Sequence, residues 1–341
     1  MTNVLDEDAP VDTRSLIRHP FGESVLADRV ERIEEILSAS RADYAEAFSE
    51  LGEGSDAIAW ERRPFLQHPF LRCEDGAWLL LFPRAAESWL GEGLHFRSLD
   101  AAAVKEETRR YNNFFGHLFE RYCFDLAVSA YPLDRVLGSG RAHPEQAYGR
   151  RGGLRTFDIA LDFGPDLIAI ETVAARLTAE MQVFGRPEIL APQLEKMLFK
   201  KIRQLAKPVS AVLAGQASIP DVDAAQIERA WPVVVTAGSM LVTELLWDRI
   251  DEQLPAQLRG GRVEKLAVLD IDDFEFFLAI GASGVFLPDL LRHWLGGAYR
   301  TLDFTRFATQ ELGIDPALRL PIIEQRWEAL GERTREVLFP G

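Results

Sequence analysis

The segment from Thr156 to Val173 constrains the fold more than any other part of the chain, because it alternates apolar and polar residues on both sides of a turn. In TFDIALDF the odd positions are apolar, whereas Asp158 and Asp162 occupy even ones. Gly164-Pro165-Asp166, which follows, is typical of a turn. Alternation with a period of two indicates a strand with one buried face. The segment therefore predicts an antiparallel hairpin.

The hairpin carries two acids whose relative position depends on its register. If the loop comprises residues 164–167, Asp158 pairs opposite Val173 and Glu171 opposite Ala160, so the two carboxylates are diagonal neighbours on one face. A loop one residue shorter or longer would put them on opposite faces. Two carboxylates on one face suit Mg²⁺ or Mn²⁺, which prefer oxygen ligands. The alternative is a solvated strand face on which the acids carry no chemistry.

The elements around the hairpin predict a mixed α/β core. A helix over about residues 101–130 precedes it, with a buried stripe expected at Phe115, Leu118, Phe119, Tyr122 and Leu126. Residues 188–214 are predicted to be helical, with a bend at Pro208. Strands at 232–237 and 266–271 flank a helix at about 239–257, and Asp272 or Asp273 is expected to cap the helix that follows. A strand, a helix and a strand at this spacing indicate a parallel pair joined by a crossover.

Composition and charge exclude several classes of protein. The 341 residues carry 38 basic and 53 acidic side chains, so the net charge of 38 − 53 = −15 repels phosphate, and contact with nucleic acid requires a local basic patch. Cys73 and Cys123 show no spacing typical of a zinc site or a disulfide framework. The longest uncharged apolar stretch, residues 230–243, is shorter than the about 18 residues that span a bilayer. We therefore expect a cytoplasmic protein without membrane association.

The order of helix, strand and loop, acidic hairpin, helix and strand over about residues 110–275 resembles the PD-(D/E)XK nuclease superfamily, which has the restriction-endonuclease-like fold. The opening helix of that family is matched by FGHLFERYCFDLAV, its motif aspartate by TFDIAL, and its E-x-K element by IETVA. The resemblance implies that Mg²⁺ or Mn²⁺ is bound by Asp158 and Glu171, with Glu120 as an auxiliary ligand. In the helix after the hairpin, some members keep a glutamine or a basic residue, here Gln204 or Lys201.

The chain departs from the family at Val173, where the E-x-K element has its lysine. In the family that lysine is thought to orient or activate the attacking water, and losing such a cation typically lowers the rate by about two to three orders of magnitude. Lys201, which flanks the apolar face of the next helix, is the candidate to replace it, and Arg176 is a weaker one. Two functions follow: a metal-dependent nuclease, for example in prokaryotic defence or nucleic-acid processing, or an inactive nuclease-like protein that acts as a binding or assembly module.

Two groups of basic residues are candidates for contact with nucleic acid. Lys196, Lys200, Arg203 and Lys207 recur along one face of the helix after the hairpin. The loop GRRGGLR places Arg150, Arg151 and Arg155 just before the motif aspartate, where they can reach a phosphate backbone. The alternative for both groups is a solvated surface without contact to nucleic acid. The expected partner is nucleic acid bound through this local patch, or else a protein.

Three domains are predicted. Residues 1–104 form an N-terminal extension with a helix at 26–51 and a β-hairpin within 64–82, around Glu74-Asp75-Gly76. Residues 105–280 form the nuclease-like domain, and residues 281–341 a C-terminal helical extension. The predicted fold class is therefore α/β, with a restriction-endonuclease-like mixed sheet flanked by helices.

Overall fold

The structure, a computed structural model, describes residues 38–49, 65, 68–74, 78–81, 104–136, 139–174, 187–239, 244–255 and 261–338. The chain divides into two compact units. The first comprises Met1–Tyr111 and Trp327–Gly341, and the second comprises Asn112–Arg326. The predicted domain boundaries after residues 104 and 280 stay a prediction.

The first unit contains a small three-stranded sheet. Its elements are β1 (Ser38–Ser40), α1 (Arg41–Ser49), β2 (Phe70–Arg72) and β3 (Trp78–Leu80). β1 runs parallel to β2, and β2 forms the predicted antiparallel pair with β3. The helix predicted over 26–51 is wrong at residues 38–40. Reciprocal hydrogen bonds between Ser40 and Asp43 cap α1, so the helix begins at Arg41. Residues 26–37, 50 and 51 lie outside the described part.

The second unit is built on a five-stranded mixed sheet. The chain enters it through α2 (Lys105–Ala130), followed by β4 (Arg141–Pro144), β5 (Ala147–Tyr148), β6 (Leu154–Arg155), β7 (Ile159–Asp162) and β8 (Asp166–Val173). The order in the sheet is β10-β9-β8-β7-β4, and β5 and β6 form a separate two-stranded hairpin. β7 is antiparallel to both of its neighbours, β4 and β8.

A helical segment connects β8 to the parallel half of the sheet. It consists of α3 (Pro187–Leu194), a π-helix (Glu195–Phe199) and α4 (Lys200–Leu213), and it leads to β9 (Arg229–Thr236), α5 (Glu244–Gln253) and β10 (Ala267–Asp270). β9 is parallel to both β8 and β10. The helices that follow are α6 (Ile271–Ala282), α7 (Leu287–Gly296), α8 (Phe304–Leu312) and α9 (Pro321–Leu338). This order confirms the mixed α/β fold and is consistent with a restriction-endonuclease-like core.

The hairpin β7–β8 forms as predicted, but its register differs. Ile159 pairs with Ile170 and Asp162 with Leu167. Continued by one residue, this register places Asp158 opposite Glu171, so the predicted pairing of Asp158 with Val173 is wrong by two positions. The loop is shorter than expected because Phe163 N already bonds to Asp166 O at 2.8 Å. A shift of two residues keeps every side chain within the ladder on its face, whereas Asp158 lies at a bend outside β7, so the shared face of the two acids stays a prediction.

The predicted buried stripe of helix α2 is confirmed at Phe119 and Leu126, and Phe115 and Tyr122 pack against the core, but Leu118 does not. The buried residues of α2 are Phe119, Cys123, Leu126, Ala127 and Ala130, whereas Leu118 is 53% exposed. Cys123 and Ala127 are small, so the helix approaches the sheet with this face. The expectation that Leu118 belongs to the core is therefore wrong.

The helical segment after β8 also departs from expectation in detail. Helix α4 continues through Pro208 to Leu213, and the bend predicted at Pro208 stays a prediction. The irregular stretch is the π-helix at Glu195–Phe199. The N-cap of α6 is Asp270, not Asp272 or Asp273, and its carboxylate accepts the Asp273 N–H at 2.9 Å.

Two buried aspartates fix the ends of elements in the second unit. Asp166 accepts two bonds of 2.6 Å from the guanidinium of Arg229 and one of 2.9 Å from Trp231 Nε1. Asp273 accepts bonds from the backbone N–H and the hydroxyl of Thr305, which ties α6 to the first turn of α8. Burial, and then the charge of Asp270, raise the pKa of Asp273 to about 6.

Candidate functional site

Asp158 lies at a bend immediately before β7, where its carboxylate replaces a backbone partner. Hydrogen-bonded pairs in the β7–β8 ladder alternate from Phe163–Asp166, so Thr172 N–H would next bond the carbonyl of Phe157. Asp158 Oδ2 accepts this N–H at 2.7 Å and the Thr172 hydroxyl at 2.6 Å instead. Both bonds end on Oδ2, so the Asp158 carboxylate is held in place through one oxygen.

Glu171 is the buried acid of the site. Its side chain is 11% exposed, and its Oε1 accepts a hydrogen bond of 2.7 Å from Lys201 Nζ. Burial, and then the charge of Asp158, raise the pKa of Glu171 to about 7, although Lys201 acts in the opposite direction. The proton occupancy of this carboxylate therefore changes near neutral pH.

Lys201 lies in the first turn of α4, directly after the π-helix. Ile202 and Leu205 of the same helix are fully buried, while Lys201 flanks them and is 35% exposed. Burial acts to lower the pKa of the ammonium, but Glu171, Asp158 and Glu120 together outweigh it and raise that pKa. Lys201 is therefore a charged donor at neutral pH. Gln204, the other residue considered on this helix, is exposed.

A cavity of about 230 Å³ opens beside Asp158 and is lined by His117, Glu120, Arg121, Phe124, Pro144, Glu145 and Asp158. Three of these residues are acids. Burial and the charge of Asp158 raise the pKa values of both Glu120 and Glu145. Glu145 was missed by the sequence analysis, because it directly follows the short edge strand β4 and belongs to no alternating pattern.

The carboxylates that line the cavity offer the oxygen ligands that a hard cation prefers. They do not by themselves form a complete metal site. No group of three or more His, Cys, Asp or Glu side chains in the described residues is arranged to hold a metal ion. Mg²⁺ keeps several waters and typically takes only one or two carboxylates from a protein, so fewer than three ligands suffice. Asp158 and Glu120 line one cavity, whereas the Oε1 atom of Glu171 is engaged by Lys201.

Of the basic residues that are predicted to contact nucleic acid, several are exposed, but one is engaged by other side chains of the protein. Lys196, Lys200 and Lys207 are exposed, but Arg203 contacts Glu195 and donates to Gln253 Oε1 at 2.5 Å. Arg150 is exposed, and the side chain of Arg151 lies outside the described part, as does Arg176.

Arg155, at the end of the β5–β6 hairpin, lies beside Glu145, which lines the cavity. Its Nε is 3.9 Å from Glu145 Oε2. The structure thus connects the predicted basic loop to the acidic cavity through one loose ion pair.

Comparison with known proteins identifies no family for the chain. No protein-family model and no curated protein matches the chain. Among solved structures, it is similar to the small subunit of the heterodimeric restriction endonuclease R.BspD6I, with 12% identity and a TM-score of 0.30 over 55% of this chain and 83% of that one. A TM-score of 0.30 carries no argument about activity. Within the described residues, no helix has the length and apolar character needed to cross a membrane.

Proposed function

We propose that the chain is a metal-dependent nuclease of the PD-(D/E)XK type in which Lys201 replaces the lysine missing at position 173. The proposal rests on the 2.7 Å contact between Lys201 Nζ and Glu171 Oε1, beside Asp158. Val173 is buried and offers no donor. Helix α4 therefore brings to Glu171 the positive charge that the strand does not provide.

Asp158, Glu171 and Glu120 are the residues that would hold Mg²⁺ or Mn²⁺. When bound, such an ion polarises a phosphodiester and lowers the pKa of a bound water. The chain supplies the oxygen donors and their positions. Thr172 fixes Asp158 through Oδ2 and leaves Oδ1 for a ligand in the cavity.

Lys201 has two roles in this proposal. Its charge favours the ionised form of Glu171, which a metal ligand must adopt. It also places a cation next to the acids, where negative charge develops on a phosphodiester during cleavage. A place in prokaryotic defence or nucleic-acid processing belongs to the same proposal.

The second candidate is a catalytically inactive, nuclease-like binding or assembly module. Lys201 already neutralises Glu171 in the structure, and no group of three metal-binding side chains occurs among the described residues. A net charge of −15 also opposes general phosphate binding. In this reading the ammonium is the permanent partner of a buried carboxylate, and Asp158 is only a backbone cap for Thr172.

Cleavage and metal binding must be measured separately to distinguish the two candidates. We expect the purified protein to cleave labelled DNA or RNA only with Mg²⁺ or Mn²⁺, and Asp158→Asn to abolish cleavage. Isothermal titration calorimetry should show Mn²⁺ uptake by the wild type and by Glu228→Gln, an exposed acid used as the control, but weaker uptake by Asp158→Asn. A wild type that neither cleaves any of these substrates nor binds Mn²⁺ would establish the inactive module.

A further inference from the structure

Helix α2 exposes a strip of apolar and basic side chains that its role in the core does not explain. Phe114 and Leu118 are 63% and 53% exposed, and the side chains of His117 and Arg121 are 85% and 72% exposed. These four residues, at spacings of three and four, share one helix face and are called the α2 strip below. An exposed phenylalanine and leucine one helical turn apart form an apolar surface that is suited to binding.

The α2 strip leads into the acidic cavity. His117 and Arg121 belong to both, and Phe124, three residues after Arg121, lines the cavity as well. The surface therefore changes along the helix from an apolar end at Phe114, through two cationic or titratable groups, to the carboxylates of Glu120 and Asp158. A ligand whose apolar part lies on Phe114 can extend along the same face into the cavity.

We infer that the α2 strip binds unpaired nucleotides and that the substrate of the site is single-stranded nucleic acid, an inference that rests on the proposed function. Bases stack on aromatic side chains when they are unpaired, and an exposed ring such as that of Phe114 has no access to the faces of bases in a duplex. Phe124 in the cavity offers a second ring. Stacking of bases on these rings gives affinity, so a single strand needs fewer basic side chains along its phosphates than a duplex does.

The charges of the surrounding surface favour the same ligand. With a net charge of −15, the protein gains little from general attraction to phosphate, and Arg203 of the basic face is engaged by Glu195 and Gln253. On the strip, the exposed guanidinium of Arg121 pairs through Nε with Asp125 Oδ1 at 2.8 Å, and Asp125 Oδ2 also accepts a bond of 3.2 Å from Arg326. A pair with one exposed partner is weak, and Asp125 keeps Arg326 when a phosphate takes its place beside Arg121. One phosphate contact combined with stacking fits a short single strand.

Fluorescence anisotropy with fluorescein-labelled oligo-dT and with a duplex containing the same strand tests the inference. The Asp158→Asn background prevents cleavage during binding. We expect tighter binding of the single strand, weakened about fivefold or more by Phe114→Ala, because loss of one stacked base has at least this effect. Phe114→Trp should preserve affinity, and Val136→Ala, which alters an apolar side chain that is 79% exposed outside the strip, should leave it unchanged.

The outcomes separate this inference from the proposed function. The inference is overturned if the wild type cleaves duplex DNA and either binds the duplex as tightly as oligo-dT or loses no affinity for oligo-dT on Phe114→Ala. The proposal of a nuclease then still stands. Neither binding nor cleavage overturns both. If Phe114→Ala instead changes the oligomeric state in light scattering and leaves oligo-dT binding intact, the strip is a protein interface, and the inference is wrong. Melting curves by circular dichroism establish that the variants are folded.

Discussion

Replacing Lys201 by methionine should change stability and activity together, because the ammonium neutralises a buried carboxylate. At an N–O distance of 2.7 Å and an effective dielectric constant of about 20, the charge attraction amounts to about 6 kcal/mol. Breaking a fully buried pair typically costs about 3–5 kcal/mol, since one charge is left without its partner. Lys201 is 35% exposed, which reduces the expected loss in free energy of unfolding to about 2–3 kcal/mol.

The loss in free energy of unfolding caused by Lys201→Met should increase with pH. The pKa of Glu171 is about 7 in the wild type, above its ordinary value, so the stability of the wild type falls as pH rises towards 7 and then levels off. Without Lys201 the pKa of Glu171 rises further, so the variant continues to lose stability above pH 7. The difference between the two proteins should therefore be small at pH 6 and widen by pH 9.

Urea unfolding at pH 6 and pH 9 measures this difference, and Lys200→Met is the matched control, because it removes an exposed lysine from the preceding position. If the nuclease reading is right, Lys201→Met should also reduce metal-dependent cleavage at saturating substrate by about two to three orders of magnitude. Lys200→Met, at a candidate contact with nucleic acid, should change only the substrate concentration that saturation requires. Adding Val173→Lys to Lys201→Met should restore part of the activity if the new ammonium reaches Glu171. A stability difference that is the same at both pH values would refute the charge-pair reasoning. Full cleavage by Lys201→Met would refute the catalytic role.

Three further results are expected. Asp166→Ala should lower the free energy of unfolding in urea by about 2–4 kcal/mol, because it leaves Trp231 Nε1 and the Arg229 guanidinium, which is 35% exposed, without their shared acceptor, whereas Asp289→Ala, at an exposed ion pair, should lower it by less than about 1 kcal/mol. Asp273 has a pKa of about 6 against an ordinary value of 3.8, so wild-type stability should fall by about 2 kcal/mol between pH 4 and pH 7 relative to Asp273→Asn; parallel pH profiles would contradict this. If nucleic acid also contacts the basic face of α4, Lys200→Glu with Arg203→Glu should weaken binding in anisotropy titrations and flatten its salt dependence; unchanged binding would exclude that footprint.

The sequence predicted the sheet well because period-two alternation and apolar runs reflect burial directly. The hairpin and the parallel pair β9–β10 follow from such patterns. The register did not follow, since residues 163–167 allow loops of several lengths, and only the backbone bond between Phe163 and Asp166 selects one. An error of two residues left the faces within the ladder correct, which explains why the proximity of Asp158 and Glu171 could be anticipated from a wrong pairing.

The parts of the site that escaped prediction depend on tertiary contacts without a local signature. Glu145 reaches the cavity only because β4 pairs with β7 at the sheet edge. The π-helix, which directly precedes the turn of α4 that carries Lys201, has no periodic signal in the sequence. Leu118 was assigned to the core by its apolar character, while the small side chains of Cys123 and Ala127 determine which face of α2 approaches the sheet.

Under the proposed function, the valine at position 173 and the lysine at position 201 form one exchange. Val173 lies in the interior of the sheet, with β8 paired to β9 at Thr236 and its carbonyl bonded to Ala237 N. A lysine at position 173 would share the face of β8 with Glu171, but its stem would replace a valine that is 5% exposed and packs in the core. Lys201 approaches the same carboxylate from α4 with a third of its side chain in solvent, which reduces the desolvation of the ammonium. With the cation supplied from the helix, position 173 is free to hold an apolar residue that packs in the core.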